Sequence, residues 1–331
     1  MHYPKISIVT PSYNQGAFIE ETIDSLLSQN YPALEYIIID GGSTDNTIEM
    51  IKKYEKSISY WESKPDNGQS HAINKGLNKC TGDIFNWLNS DDYLEKKSLF
   101  TIAEHFQNSG INLVGGKSKK FSSNTFEKVV PETFYHQTIE EKIVSPLYMQ
   151  PSTFIRMDCI KQMGFLNEDL HYSMDYEWIL RYLLLFGKEN IIETDTILSY
   201  ARLHSNSKTN MDIPKFRMET LYIYFQLAQL MNLSPESING CRYRGLSPDL
   251  NISLNLKLEI DLNKEELIQN IKKIVEPYNK DVSFLYRETA AYYNYFGQKK
   301  EALKACTSAV IANPTVFLNY KFFIKELFNL A

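Results

Sequence analysis

Between residues 5 and 88 short apolar runs alternate with amphipathic stretches. Residues 5–10 are rich in Ile and Val and read as a buried strand ended by Pro11. Residues 17–29 follow, with Phe18, Ile19, Ile23, Leu26 and Leu27 on one helical face. A second buried strand spans 34–40 and closes on Gly41 and Gly42. Ser43 or Thr44 can then cap a helix carrying Ile48, Ile51 and Tyr54. A strand over 58–62, a helix over 68–80 and a strand over 83–88 continue the rhythm. Strand, helix, strand at this spacing predicts right-handed crossovers: an α/β fold with a Rossmann-like, mostly parallel sheet flanked by helices. Ligands on such sheets bind beyond the carboxyl ends of the strands, so candidate chemistry is sought there.

Past residue 113 the pattern loosens. Residues 121–130 fit an antiparallel pair or an edge strand, and 131–146 a connection. A helix is predicted over 175–186, with Trp178, Ile179, Tyr182 and Leu183 along one side. A strand over 191–200, a polar loop over 205–212 and a long helix over 214–231 follow. Residues 232–262 are rich in Asn and Ser and read as an irregular joint. In the last stretch Tyr286, Ala290, Tyr293, Gly297, Ala302, Ala309 and Pro314 fall at the offsets of one tetratricopeptide repeat. A single repeat cannot bury its own face, so it is expected to stack on helices at 264–275 and 317–330. The expected domains are therefore 1–212, a helix and linker over 213–262, and a C-terminal α-helical tail over 263–331.

Composition narrows the function classes. At 331 residues, 43% hydrophobic and 23% charged, the chain is of ordinary globular make-up with room for about two domains. The formal charge is −5 and the basic cluster at 117–120 is short, so nucleic acid is not an expected partner. Apolar runs such as 36–39 and 182–186 are too short to span a bilayer. The first residues run directly into a strand-like segment without signal-peptide architecture. Cys80, Cys159, Cys241 and Cys306 stand far apart without metal-ligand spacing, which suits a reducing cytoplasm.

Three polar clusters lie at predicted strand ends: Thr10-Pro11-Ser12-Tyr13-Asn14-Gln15, Asp40-Gly41-Gly42-Ser43-Thr44-Asp45 and Asn89-Ser90-Asp91-Asp92. A carboxylate directly after a buried strand can accept a hydrogen bond from a nucleobase imide or a ribose hydroxyl. Adjacent carboxylates after another strand can hold a hard divalent cation, which takes oxygen ligands and bridges phosphates. Each cluster also has a purely structural reading. Asp40 can begin a turn in which Gly41 and Gly42 supply backbone freedom, and Asp91–Asp92 can cap a helix starting near Glu95.

Taken together in this order, Ser7-Ile8-Val9-Thr10-Pro11-Ser12-Tyr13-Asn14, Ile39-Asp40-Gly41-Gly42-Ser43-Thr44-Asp45 and Asn89-Ser90-Asp91-Asp92 resemble glycosyltransferase family 2. Lys64-Pro65-Asp66-Asn67-Gly68-Gln69-Ser70-His71-Ala72-Ile73-Asn74-Lys75-Gly76 is similar to a segment of its bacterial polysaccharide members. The resemblance covers residues 5–205. It implies a GT-A fold, a nucleotide-sugar donor, inversion at the anomeric carbon, and a divalent cation, Mg or Mn.

By position, the resemblance makes Asp40 the contact to the base and Pro11 and Tyr13 the walls of its pocket. Asp91 would face the ribose and Asp92 would ligate the metal, completed by His204, which also reads as a solvent-exposed histidine beside a polar loop. Asn89 replaces the acidic residue of many relatives, which leaves the division between Asp91 and Asp92 open. Asp66, Gly68 and Gln69 would lie beside the nucleotide, with Asn74 and Lys75 supporting that wall; Lys75 also reads as a solvated helix lysine. Gln150, in Gln150-Pro151-Ser152-Thr153, resembles the segment lining the donor-sugar and acceptor pocket, and also reads as the entry to a strand. Asp175, in Met174-Asp175-Tyr176-Glu177-Trp178, matches the family's base on the acceptor hydroxyl, with Glu177 as the next candidate. Its structural alternative is a carboxylate complementing a helix dipole.

The implied acceptor is a saccharide or lipid-linked saccharide, met in the cytoplasm or peripherally at the inner membrane face, with self-association or a protein partner through the helical tail. Two other readings compete. A nucleotidyltransferase would carry a Gly-rich basic loop after the first strand, where this chain has residues 11–15 with no Lys or Arg. A catalytically silent carbohydrate-binding or scaffolding protein would have no use for Asp40, Asp91, Asp92 and Asp175 together.

Overall fold

The computed structural model describes residues 3–122, 125–130, 149–187, 189–204 and 299–312, together with 208, 215–216, 219–220, 223 and 323. The elements run β1 (Ile6–Ser12), α1 (Ile19–Leu27), β2 (Leu34–Asp40), α2 (Thr47–Lys53), β3 (Tyr60–Ser63), α3 (Gln69–Leu77), β4 (Ile84–Trp87), β5 (Tyr93–Leu94) and α4 (Ser98–His105). Then come β6 (Leu113–Ser122), β7 (Thr125–Val130), a 3₁₀ turn (Gln150–Ser152), β8 (Thr153–Arg156), α5 (Met157–Met163), α6 (Met174–Phe186), β9 (Ile191–Arg202) and α7 (Lys299–Ala312).

Nine described strands form one sheet in the order β3-β2-β1-β4-β8-β6-β9-β5, with β7 added on β6. The β3, β2, β1 and β4 half is parallel, as the alternating pattern predicts. The second half is mixed: β8 runs antiparallel to β4 and β6, β6 and β9 are parallel, and β5 and β7 are antiparallel edges. Of the two readings of 121–130, the antiparallel pair is the one realised, as the end of β6 and its partner β7. Residues 131–146, most of 214–231, all of 232–262, and the helices expected over 264–275 and 317–330 lie outside the described residues, apart from Phe323.

β1 and β2 are buried almost throughout because helices cover both faces, which is why they read as unbroken apolar runs. On one face Ile6, Ile8 and Ile38 pack with Ile19, Ile23 and Leu26 of α1, Ile51 of α2 and Leu99 and Ile102 of α4. On the other, α3 lies so close to β1 that a Cβ on Gly76 would stand 2.4 Å from a Val9 methyl. Beyond it Trp178 of α6 packs edge-on against Trp87 and Phe85 of β4. β1 does not stop at Pro11 but continues to Ser12. The Val9 carbonyl accepts from Leu88 and that of Ser12 from Gly41, so Pro11 faces the β4 side, past the last residue of that strand. No ladder bond is asked of its missing N–H there.

Two capping expectations are corrected. The Ser43 hydroxyl is taken by Asp40, and α2 begins only at Thr47, whose N–H donates to Asp45 Oδ1 at 2.9 Å. Asp91 and Asp92 cap nothing, because β5 intervenes and α4 starts at Ser98.

The chain divides into two compact units, the first holding Met1–Met211. In the second, α7 buries Ala302, Ala305, Cys306 and Ala309. The rest of the tetratricopeptide-like pattern over 286–314 lies outside the described residues.

At the amino ends of the strands, Glu35 is buried and accepts from Lys5 Nζ (2.6 Å), Ser7 Oγ (2.6 Å), Thr81 N (2.6 Å) and Thr81 Oγ1 (2.7 Å). Burial alone would raise its carboxyl; the bonds from Lys5, Ser7 and Thr81 overcome that and hold it at about 2. A depressed carboxyl stabilises the fold above its ordinary value of 4.5, and the contribution fades as pH falls towards 2. Glu35→Gln is expected to cost about 2 kcal/mol at pH 7, the scale of hydrogen bonds to a charged group, and to flatten this acid limb of the stability profile. Urea unfolding from pH 2 to 7 checks both.

Candidate active site

The first two strand-to-helix loops are stitched together at the carboxyl edge. Asn14, at φ 52°, accepts from Thr44 N through its amide oxygen and donates its own N–H to Ser43 Oγ. Gln15 and Gly16 donate their N–H groups to Thr47 Oγ1 and Asp45 Oδ2. Asp40 ends β2 fully buried. Its Oδ2 accepts from Gly42 N, Ser43 N and Ser63 Oγ, while Oδ1 accepts from Ser43 Oγ at 2.5 Å. The turn-forming reading of Asp40 is thus realised, with Gly42 at φ 87° completing the bend. Pro11 is buried beneath this loop pair and Tyr13 stands 60% exposed at its rim. The Asp66 carboxylate closes against Gly41, where a Cβ would stand 3.0 Å from Oδ2, and accepts from Gly68 N at 2.8 Å.

The third cluster follows β4. Asp91, partly exposed, places Oδ2 3.0 Å from His204 Nε2. Asp92 is buried and accepts from Arg202 N at 2.9 Å and from Asn89 Nδ2 at 3.4 Å. Burial, and then the neighbouring Asp91 charge, push its carboxyl well above the usual range. The carboxylate beside His204 is Asp91, whereas Asp92 faces inward and accepts from the main chain at the end of β9. Asn89 Oδ1 accepts from Gln69 Nε2 at 2.8 Å, and Gln69 Oε1 from Lys208 Nζ at 3.0 Å, which links this cluster to the start of α3.

The remaining candidates brace the wall. Asn74 bonds the Leu166 backbone in both directions and reaches Glu168. Lys75 pairs with Glu62 at 2.7 Å, and with Lys64 it holds the Glu62 carboxyl at about 2. Gln150 spends its amide donors on Asn86 and the Trp87 carbonyl. Ser70 Oγ donates to the Leu170 carbonyl and Lys208 Nζ to that of His171, so the loop before α6 lies against the start of α3. Asp175 occupies the first turn of α6, half-buried, with Oδ1 accepting from Tyr176 N at 2.8 Å. Glu177 is removed as an alternative base: it is buried against Arg181 at 2.8 Å.

The chain matches the family described as Glycosyl transferase family 2 over residues 7–181. It belongs to that family. A glycosyltransferase of Haemophilus influenzae, itself uncharacterized, is 37% identical over 248 residues, spanning 70% of this chain and 91% of the relative. Among solved structures, S. aureus TarS 1–349 in complex with UDP-GlcNAc superposes with TM-score 0.60 at 18% identity, covering 95% of this chain and 93% of that one. The mannosyltransferase PcManGT from Pyrobaculum calidifontis, in complex with GDP-Man and Mn2+, gives TM-score 0.54 at 14% identity over 94% and 88%. At these identities the two structures speak for the fold, a GT-A sheet.

In this glycosyltransferase no group of three or more His, Cys, Asp or Glu suited to a metal occurs among the described residues. Asp91 and His204 still supply two converging donors, which suits a cation that takes its other ligands from a diphosphate and water. Sequence reasoning missed Arg202. Arg202 closes β9 two positions before His204, and that nearness in sequence was the available signal.

Arg181 also donates to the Met163 and Phe165 carbonyls, so it ties α6 to the loop after α5. Arg181→Leu would leave Glu177 and both carbonyls without their partner. The expected loss is about 3–5 kcal/mol of unfolding free energy, read by urea denaturation at pH 7.

Proposed function

We propose that this glycosyltransferase inverts the anomeric centre while moving a sugar from a nucleoside diphosphate donor, a UDP-sugar, to a hydroxyl of a saccharide or lipid-linked saccharide. The observation that carries the reading is the Asp91–His204 pair, 3.0 Å apart, at the strand-end edge of a family 2 fold. The nucleotide sugars and manganese held by neighbours of the same fold support the donor class and the cation.

The base lies in the loop pair that Asp40 holds in shape, between Pro11 and Tyr13, with Asp66, Gly68 and Gln69 along the diphosphate side. Asn74, Lys75 and Gln150 act behind that surface by fixing the loop after α5 and the end of β4. A magnesium or manganese ion at Asp91 and His204 would supply positive charge to the departing diphosphate, and the mixed oxygen and imidazole donors favour manganese. Asp92 keeps Asp91 in place from below. Inversion requires the acceptor oxygen to attack the anomeric carbon opposite the leaving group while its proton is taken away. Asp175 accepts that proton, from the first turn of a helix that the loop over 164–173 brings to the start of α3. A lipid-linked acceptor would be met peripherally at the cytoplasmic membrane face. Among the described residues no helix is long and apolar enough to cross a membrane.

Asp175→Asn tests the assignment. Asparagine keeps the size and the hydrogen bond to Tyr176 N, so fold and donor affinity should persist, while turnover falls about 10²–10⁴-fold. Transfer assays with α-linked UDP-sugars should yield a β-linked product, as read by NMR. Near wild-type turnover in the variant would move the base elsewhere, and an α-linked product would sink inversion.

A further inference from the structure

We propose that Arg202 is a positioning residue for the cation pair, setting Asp91 and His204 at their spacing without touching the reacting groups. The inference rests on the cation site proposed above and deepens it. Arg202 Nε donates to the Asp91 carbonyl at 3.0 Å, and the same residue's backbone N–H donates to Asp92 Oδ1 at 2.9 Å. The guanidinium is also ion-paired with Glu21 at the start of α1. Its Cζ stands over two aromatic rings, 5.0 Å from the Phe18 centroid and 4.5 Å from that of Phe121.

Phe18 is shared. Its ring centroid stands 4.9 Å from that of His204, so one aromatic side chain bears both the guanidinium and the imidazole. Arg202 thereby fixes the Asp91 main chain on one side and, through Phe18, the His204 ring on the other. The carboxylate oxygen and the ring nitrogen that would share a cation are both placed by contacts that converge on this residue. Thr22 Oγ1 donates to the Asp92 carbonyl at 2.7 Å, and Tyr93 stacks on Tyr200 at 4.5 Å, so the segment around the pair is held from α1 and from β9 alike.

Lysine cannot substitute. One ammonium on a flexible stem cannot bond Asp91 and Glu21 in two directions while presenting flat faces to two rings. The main-chain bond to Asp92 survives any side-chain change, so the sheet edge itself should remain. The side chain's contribution is separable from the fold.

The test uses the full chain with manganese and UDP as probes, following free manganese by electron paramagnetic resonance and the fold by circular dichroism. In Arg202→Lys the half-saturating manganese concentration should rise about tenfold or more, the usual effect of losing the groups that orient a metal ligand. Transfer should recover towards the wild-type kcat once manganese saturates, whereas a purely structural role would move only the melting temperature. Glu21→Gln, which loses an exposed partner, should raise the same concentration about two- to fivefold, and it carries the test if Arg202→Lys does not fold. Asp91→Asn is the control. Manganese binding unchanged in Asp91→Asn overturns the cation site and the inference with it. Binding lost in Asp91→Asn but unchanged in folded Arg202→Lys, or in Glu21→Gln where that variant carries the test, overturns the role of Arg202 alone.

Discussion

The return of β9 onto the segment after β4 is the constraint on which the site depends. The parallel half of the sheet delivers Asp91 and Asp92 to the carboxyl edge, but it does not orient them. Orientation comes when Tyr93 and Leu94 pair antiparallel with Tyr200 and Ser199, and the Arg202 N–H closes on Asp92. A buried carboxylate is costly unless its oxygens are satisfied, so this main-chain bond is hard to break once formed. His204 then follows two residues beyond a fixed point.

The same economy governs the first two loops. Asp40 receives four hydrogen bonds without leaving its own turn except to Ser63 on β3. Asn14 and Gly16 then hang the β1 loop on the β2 loop through Ser43, Thr44 and Asp45. The two loops are thereby fixed to one another, with Tyr13 projecting at the rim.

What could be read from the chain follows the range of the interactions. β1, β2 and α1 were legible because buried parallel strands and amphipathic helices write their periods locally. The Asp40-Gly41-Gly42-Ser43 turn was legible for the same reason, since the carboxylate and the donors of its turn lie within three residues. β5 was not: two residues carry no period, and they are a strand only because β9, more than a hundred residues away, pairs with them. The capping positions of α2 went wrong because Ser43 spends its hydroxyl on Asp40 in the preceding turn, and α2 starts only at Thr47. The partition between Asp91 and Asp92 was illegible for a similar reason. Adjacent residues leaving a strand point to opposite sides, and which side is interior depends on where β9 returns.

That last point explains why two adjacent carboxylates are not redundant. A buried pair of like charges would push each other towards protonation, and Asp92 is indeed displaced upwards by burial and by Asp91. Turning one inward to a main-chain N–H and the other outward to an imidazole relieves the conflict geometrically. The inward group spends its acceptors on the fold, and the outward one meets His204. Arg202 sits where these uses meet, with its main chain serving Asp92 and its side chain serving Asp91. A carboxylate pair after a buried strand therefore becomes a functional site only when a third element distinguishes its two members.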